Sequence, residues 1–441
     1  SRGLCLPGKL RRPVRQISAG ERYQLGSTAS VPDPAARRAK ITNDGTPEGC
    51  SKAVATGAYT PNQLATAYEV DPLHASGLEG RGIRVATLAG QRLQKSSIRT
   101  WAQCFGMPEP SLELIRMPSS VPSTQNTSDE EYLDVEALAT LAPRLQRITP
   151  ISVPLDTNFS HSFPLFMFGV LDRSRQNGKL PHVLSISDGV CESRFTDDQL
   201  TLSQRLLREA SVLGITALAA SGDLGFLGCQ VPKEIAGYPD SSRFVAGVGG
   251  TALSVTADNE IADEVVWSTF GDPGEDGVGS GGGPSGVWAR PGFQRAPGVG
   301  PDLQSGQPTR LTPDLAANAA FAPGLAIFDA TMQGWGADGG TSAATPLAAA
   351  IVALTLEQER AAGRPQLGSL PPLLYAIGRG DDYASVFFDV TEGTSSPKPN
   401  TPLGQSPAGG AAQPGYDLAT GLGTLRAKGF ADAVASTPPG G

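Results

Sequence analysis

The 441 residues carry 35 Lys and Arg against 43 Asp and Glu, a net charge of -8 and a pI near 5.1, which argues against nucleic acid as a partner. A hydrophobic share of 39% and a charged share of 18% suit an ordinary globular chain rather than a disordered one. No apolar run approaches the ~20 residues that cross a bilayer, so no membrane role is expected.

Residues 1–45 are rich in Arg, Pro and Ser and read as an arm or linker. The chain opens Ser-Arg-Gly without Met, so a processed chain is expected. Gly82–Gly90 is a short apolar run bounded by glycines, hence a buried strand. Asp129–Pro143 opens on acidic residues and closes on proline, as helix ends prefer. Its 3.6-residue period puts Glu130, Asp134, Ala137 and Leu141 on one stripe, with Glu131 and Glu136 pointing elsewhere, toward solvent. Two carboxylates four apart on the inward stripe repel, so at least one proton is shared or retained there. A stripe tilted to water, its acidic start merely favouring the helix dipole, explains the same residues.

His182–Asp188 predicts a second strand, Asp198–Leu213 an amphipathic helix, and Ile215–Ala220 and Phe244–Val248 further core strands. A long helix is expected from Ala343 to Ala362, stopping at Gly363 and Pro365. Strands alternating with helices of this length favour one α/β domain with a mainly parallel sheet covered on both faces. Ligand sites in such sheets lie at the carboxyl ends of strands, where Asp223 follows Ile215–Ala220 in Ser221-Gly222-Asp223. An aspartate in a Gly-rich turn is the plain alternative.

Gly339-Gly340-Thr341-Ser342-Ala343-Ala344-Thr345-Pro346 reads as a serine nucleophile where a Gly-rich loop enters a buried helix. Ser342 as a simple helix cap is the alternative. Ser280-Gly281-Gly282-Gly283 could admit a substrate backbone or be a flexible linker. The histidines are His74, His161 and His182, and none stands in a His-Gly-Thr helix start. Asp389-Val390-Thr391-Glu392-Gly393 and Gly415-Tyr416-Asp417 put two carboxylates in carbonyl-rich loops that suit a hard cation such as calcium; surface turn aspartates would look the same. The five cysteines show no Cys-x-x-Cys pair and are expected as disulfides Cys50–Cys104 and Cys191–Cys229 with Cys5 left over; free buried thiols are the alternative. Sequons stand at Asn126 and Asn158.

In order, Glu130-x-x-x-Asp134, Ser221-Gly222-Asp223, Gly340-Thr341-Ser342…Pro346, Asp389–Gly393 and Gly415-Tyr416-Asp417 resemble the sedolisin family, the serine-carboxyl peptidases that include kumamolisins and tripeptidyl-peptidases. Ser280–Gly283 and Pro313–Ala319 also resemble family segments, and the match runs from about Cys50 to Leu425. The resemblance implies a subtilisin-like sheet with helices on both faces, in a catalytic domain of residues 46–437. It implies bound Ca2+ in 386–424, held by Asp389 and Asp417 side chains and the carbonyls of Val390, Gln413 and Gly415. Gln413 is a departure, since glycine is common there. Ser342 would attack a peptide carbonyl, Glu130 take its proton, Asp134 hold Glu130, and protonated Asp223 donate to the oxyanion. It further implies an acid-working, secreted monomer acting on peptides or unfolded proteins, or one in a lysosome-like compartment, cut from an N-terminal prodomain of which 1–45 is the linker remnant. Two rivals stand beside it. A subtilisin-type peptidase needs an Asp on the first core strand, and Val85–Gly90 has none. A catalytically inactive homologue used for binding should have lost one of the four site residues, and all are present.

Overall fold

The computed structural model of the chain describes residues 41–90, 93–117, 130–153, 159–173, 180–227, 229, 236–270, 277–300, 308–330, 334–396 and 410–437. Cys5, both sequon asparagines and most of the expected arm lie outside these residues. Residues 41–45 are pinned to the body: Asn43 bridges Val255 and the Thr42 N–H donates to Ser254 Oγ at 3.2 Å.

The described sheet has ten strands: β1 (Arg84–Ala89), β2 (Ile115–Arg116), β3 (Arg147–Ser152), β4 (Val183–Ile186), β5 (Thr216–Ala220), β6 (Val245–Val255), β7 (Ile261–Val266), β8 (Leu315–Asn318), β9 (Phe387–Phe388) and β10 (Thr424–Leu425). Their spatial order is β9-β10-β8-β6-β5-β4-β1-β3-β2, with β7 antiparallel on β6. The run from β10 to β2 is parallel throughout, and only β7 and β9 pair antiparallel. The predicted strand Phe244–Val248 extends to Val255, because the antiparallel pairing with β7 satisfies its second half.

Both faces are covered, as apolar strands without polar alternation require. In β5, Leu218 faces the layer of α1 (Glu130–Leu141) and α4 (Gly340–Ala361). Ala217 and Ala219 face the layer of α2 (Phe159–Phe168) and α3 (Asp197–Val212). Helix α3 opens on a capping box, with Thr196 accepting the Gln199 N–H at 3.3 Å and Gln199 returning to the Thr196 N–H at 2.8 Å. Helix α4 begins three residues earlier than its apolar pattern predicts. It is also long and apolar enough to cross a membrane, but 89% of that window is buried in the protein, so it is the core helix of the domain.

The two expected disulfides are formed, Cys50–Cys104 and Cys191–Cys229, with Cα atoms 4.9 and 5.4 Å apart. They close loops of 54 and 38 residues, each worth about 4 kcal/mol by chain entropy. A buried Arg310–Asp314 pair, at 2.5 and 2.7 Å, fixes the start of β8, and Asp314 also accepts the Gly247 N–H at 2.8 Å.

Candidate active site

The strand ends deliver the site. Ser187 and Asp188 follow β4, Ser221–Asp223 follow β5, and α1 and α4 enter over them with Glu130 and Ser342 in their first turns. The Ser342 hydroxyl hydrogen-bonds the Glu130 carboxylate and lies 3.2 Å from the Ser187 carbonyl oxygen. Asp134, one helical turn after Glu130, is fully buried, and its Oδ1 accepts the Ser187 hydroxyl at 2.5 Å. Its Oδ2 is buried with no hydrogen-bond partner among the described residues. Ser187 therefore ties the two helices together, since its hydroxyl also lies 3.3 Å from the Ser342 carbonyl oxygen.

Burial pushes the Glu130 carboxyl well above the usual carboxylate range, and the neighbouring charges of Asp134 and Asp188 push it further; the Ser342 hydrogen bond opposes them. Burial does the same to Asp134 against the Ser187 hydrogen bond. Two enclosed carboxyls one turn apart titrate as a pair, so the first proton stays on the pair long after an exposed carboxylate has lost its own.

Asp223 is raised by burial too, and its two oxygens are differentiated. Oδ1 accepts the Thr341 N–H at 2.8 Å and the Thr341 hydroxyl at 2.7 Å. The Gly222 N–H donates back to Thr341 Oγ1 at 3.1 Å, which fixes that hydroxyl's direction. A proton on Asp223 therefore belongs on Oδ2, which faces the entrance of α4: a Cβ on Gly340 would stand 2.7 Å from it. Gly340 also has φ +79°, so both space and backbone require glycine. Gly281 is neither linker nor open platform. Its N–H donates to the Gly222 carbonyl at 2.7 Å, and a Cβ there would meet the Ser221 carbonyl oxygen at 2.3 Å.

The structure corrects one reading of α1. Glu131 and Glu136 are not solvated; they are 4% and 1% exposed, because the end of β1 at Gly90 meets the first and the strand Leu325–Asp329 meets the second. Glu136 Oε2 accepts the Phe328 N–H at 2.8 Å, and Glu131 Oε1 accepts the Gly90 N–H at 2.7 Å. Sequence reading also missed Ser187, Asp188 and Thr341. The first two end the predicted His182–Asp188 strand, so the strand-end rule pointed to them. Asp188 is raised to about 6, first by burial and then by Glu131. His74 stands apart from the site: its Nε2 meets the Leu141 carbonyl oxygen at 2.8 Å, eleven residues and about 16 Å along α1 from Glu130.

The five expected calcium residues share one pair of loops. The Gly415 N–H lies 3.1 and 3.0 Å from the two Asp389 oxygens. Asp417 accepts the Ala419 and Thr420 N–H groups and the Thr420 hydroxyl, each at 2.8 Å, and a further backbone bond from Gln413. Burial pushes the Tyr383 hydroxyl up, and the charges of Asp389 and then Asp417 push it further. Burial raises Asp417 to about 7. An all-oxygen set of two carboxylates fits a hard divalent cation. Among the described residues no cluster of three or more His, Cys, Asp and Glu side chains is present, so any such ion relies on backbone carbonyls for its remaining ligands.

Over 389 residues the chain is 30% identical to kumamolisin of Bacillus sp. (strain MN-32), covering 86% of this chain and 64% of that protein. The chain is thus similar to serine-carboxyl peptidases of the sedolisin family. Human tripeptidyl-peptidase 1 is 31% identical over 265 residues, 56% of this chain and 42% of that one. Tripeptidyl-peptidase sed4 of Aspergillus fumigatus is 27% identical over 444 residues, 90% of this chain and 68% of that one. The chain thus spans about two thirds, or less, of the relatives it matches. The solved Pseudomonas sedolisin, a serine-carboxyl proteinase complexed with two molecules of pseudo-iodotyrostatin, shares its fold, with a TM-score of 0.71 at 23% identity and coverage of 89% of this chain and 100% of that one. No protein-family model matches the chain.

Proposed function

We propose that the chain is an acid-acting serine-carboxyl peptidase that hydrolyses peptide bonds of peptides or unfolded proteins. The observation that carries the reading is the side-chain hydrogen bond between Ser342 and the half-buried Glu130, one helical turn before the fully buried Asp134. Ser342 Oγ forms a bond to the substrate carbonyl carbon while its proton passes to Glu130. Asp134 Oδ2, which has no hydrogen-bond partner among the described residues, is the oxygen available to share a proton with Glu130 and hold it in line during the reaction. The negative oxygen of the tetrahedral intermediate receives a hydrogen bond from Asp223 Oδ2–H. Collapse breaks the C–N bond, Glu130 returns the proton to the leaving amine, and water attacks the acyl-enzyme by the same steps in reverse.

The chemistry needs Glu130 able to accept a proton while Asp223 still carries one. An ordinary glutamate titrates near ~4.3, far below histidine at ~6.5; burial moves both Glu130 and Asp223 upward from that range, and Asp223 must not yet have ionised. Both hold together only in acid, which gives an activity optimum below about pH 6. Such an enzyme suits an acidic extracellular setting or a lysosome-like compartment, with a removed N-terminal prodomain and a monomeric catalytic body of residues 46–437. Asp389 and Asp417, with the carbonyls of Val390, Gln413 and Gly415, would hold Ca2+. When bound, the ion neutralises the two carboxylates and ties together the loops that carry Asp389 and Asp417.

The test is digestion of a denatured protein from pH 3 to 8, with products mapped by mass spectrometry. Cleavage below about pH 6 that Ser342→Ala and Glu130→Gln each abolish, without loss of folding, is expected. An optimum at pH 8, or full activity in Ser342→Ala, refutes the mechanism. No cleavage at any pH by a folded chain favours the inactive, peptide-binding alternative. Release of tripeptides from free N-termini would separate a tripeptidyl-peptidase from an endopeptidase.

A further inference from the structure

At the amino ends of the strands, opposite the proposed active site, Arg84 opens β1 and His182 immediately precedes β4, side by side in the parallel register that pairs Val85 with Val183. His182 is 2% exposed, and its Nδ1 accepts the Arg84 backbone N–H at 2.9 Å. A neutral imidazole has one acceptor and one donor nitrogen, so Nε2 carries the proton. That Nε2 lies 3.4 Å from Arg84 Nη2 and 3.3 Å from Arg360 Nη1, near the end of α4. All three of these groups are donors. The Arg84 guanidinium cannot swing away, because Nε and Nη2 are held by the Leu180 carbonyl at 2.9 and 2.7 Å and Nη1 by Gln146 Oε1 at 3.0 Å.

His182 and Arg360 border a cavity of about 300 Å³, which Ile83, Leu356, Glu359 and Gln366 also line, and the Arg84 guanidinium stands behind the imidazole at its edge. Glu359 is the carboxylate of this wall, and Arg364 engages both of its oxygens at 2.5 and 2.6 Å. Among the described residues neither Arg84 nor Arg360 makes an ion pair. The carbonyl end of α4 offsets part of the Arg360 charge and disfavours an anion, but two charged donors outweigh the partial charge of one helix end.

We propose that Arg84, His182 and Arg360 form a binding site for one small oxyanion, bound by convergent N–H donors about 27 Å along α4 from Ser342. One anionic oxygen accepts from His182 Nε2–H and both guanidiniums at once, removing the donor-to-donor opposition. The charges around the imidazole agree: burial, then Arg84, then Arg360 hold His182 down at about 4, while burial, then Arg360 and Arg147, lower Arg84. A bound anion reverses the sign of that field.

The experiment titrates sodium sulfate, and separately sodium acetate, into the whole chain at pH 5.5 with ionic strength held constant by NaCl. Calorimetry and the three histidine ring resonances are followed. Expected is saturable binding of one anion at millimolar concentration, with one histidine resonance shifting and the other two still. Arg360→Gln should weaken it at least tenfold. Sulfate alone binding identifies a tetrahedral anion such as phosphate or sulfate; acetate binding as tightly identifies a carboxylate. No saturable binding of either, or binding unchanged in a folded Arg360→Gln, overturns the proposal. Because neither readout uses peptide hydrolysis, its failure is distinct from failure of the peptidase reading.

Discussion

Replacing Glu264 by glutamine should make the protein lose less stability as pH rises. Glu264 on β7 is 2% exposed; its Oε1 accepts the Thr251 hydroxyl at 2.5 Å and the Thr424 hydroxyl at 2.9 Å. Burial is the largest influence on it and raises its carboxyl from 4.5 to about 7, with Asp263 adding to the rise and Arg426 opposing it. Between those values the folded chain keeps a proton that the unfolded chain releases. Its contribution to stability is therefore complete below about pH 4.5 and is lost as pH rises through about 7. The interval corresponds to about 3 kcal/mol at 1.36 kcal/mol per unit. Glutamine keeps the carbonyl acceptor for both threonines and stays neutral, so whatever its amide costs is independent of pH. Urea unfolding from pH 4 to 8 in a Ser342→Ala background, which prevents self-digestion, gives the stability difference between chains with and without Glu264→Gln. That difference should move by about 3 kcal/mol in favour of the glutamine variant, mostly between pH 5 and 7. A constant difference, or one that moves the other way, would show that Glu264 is ionised in the folded protein and refute the argument.

Asp223→Ala should lower kcat by roughly two or more orders of magnitude with the fold retained, as loss of an oxyanion donor does elsewhere; a loss under tenfold would remove Asp223 from that role. Gly340→Ala places a methyl 2.7 Å from Asp223 Oδ2 at φ +79°, so it should cost about 1–2 kcal/mol in backbone strain alone and reduce turnover by displacing that oxygen. Thermal unfolding and kcat measured together check both effects, and a variant as stable and active as the parent would contradict the contact. Chelation should lower the Tm and added calcium restore it, since an ion bound only by the folded chain stabilises by mass action; an unchanged Tm would argue against the Asp389–Asp417 site.

The order of strands and helices was readable from the sequence because apolar runs and turn residues are local signals, and Asp223 was placed by one rule, that sites form where parallel strands end. The same rule reached Ser187 and Asp188 at the end of β4, but a serine there announces nothing about a hydrogen bond to a carboxylate 53 residues earlier. Periodicity failed on α1 for a physical reason. It assumes one wet face, and this helix packs against α4, the end of β1 and the strand Leu325–Asp329, so Glu131 and Glu136 are buried as completely as its leucines. Their burial bears on the chemistry. Glu136 accepts an N–H from Phe328 on the strand Leu325–Asp329, and the charge of Glu131 reaches both Asp134 and Asp188. Every added negative charge beside the Glu130–Asp134 pair makes its second ionisation harder, and with it the retention of the shared proton easier. The acidic helix start that looks like a solvated dipole cap is thus, once packed, part of what gives Ser342 a carboxylate able to hold a proton without histidine.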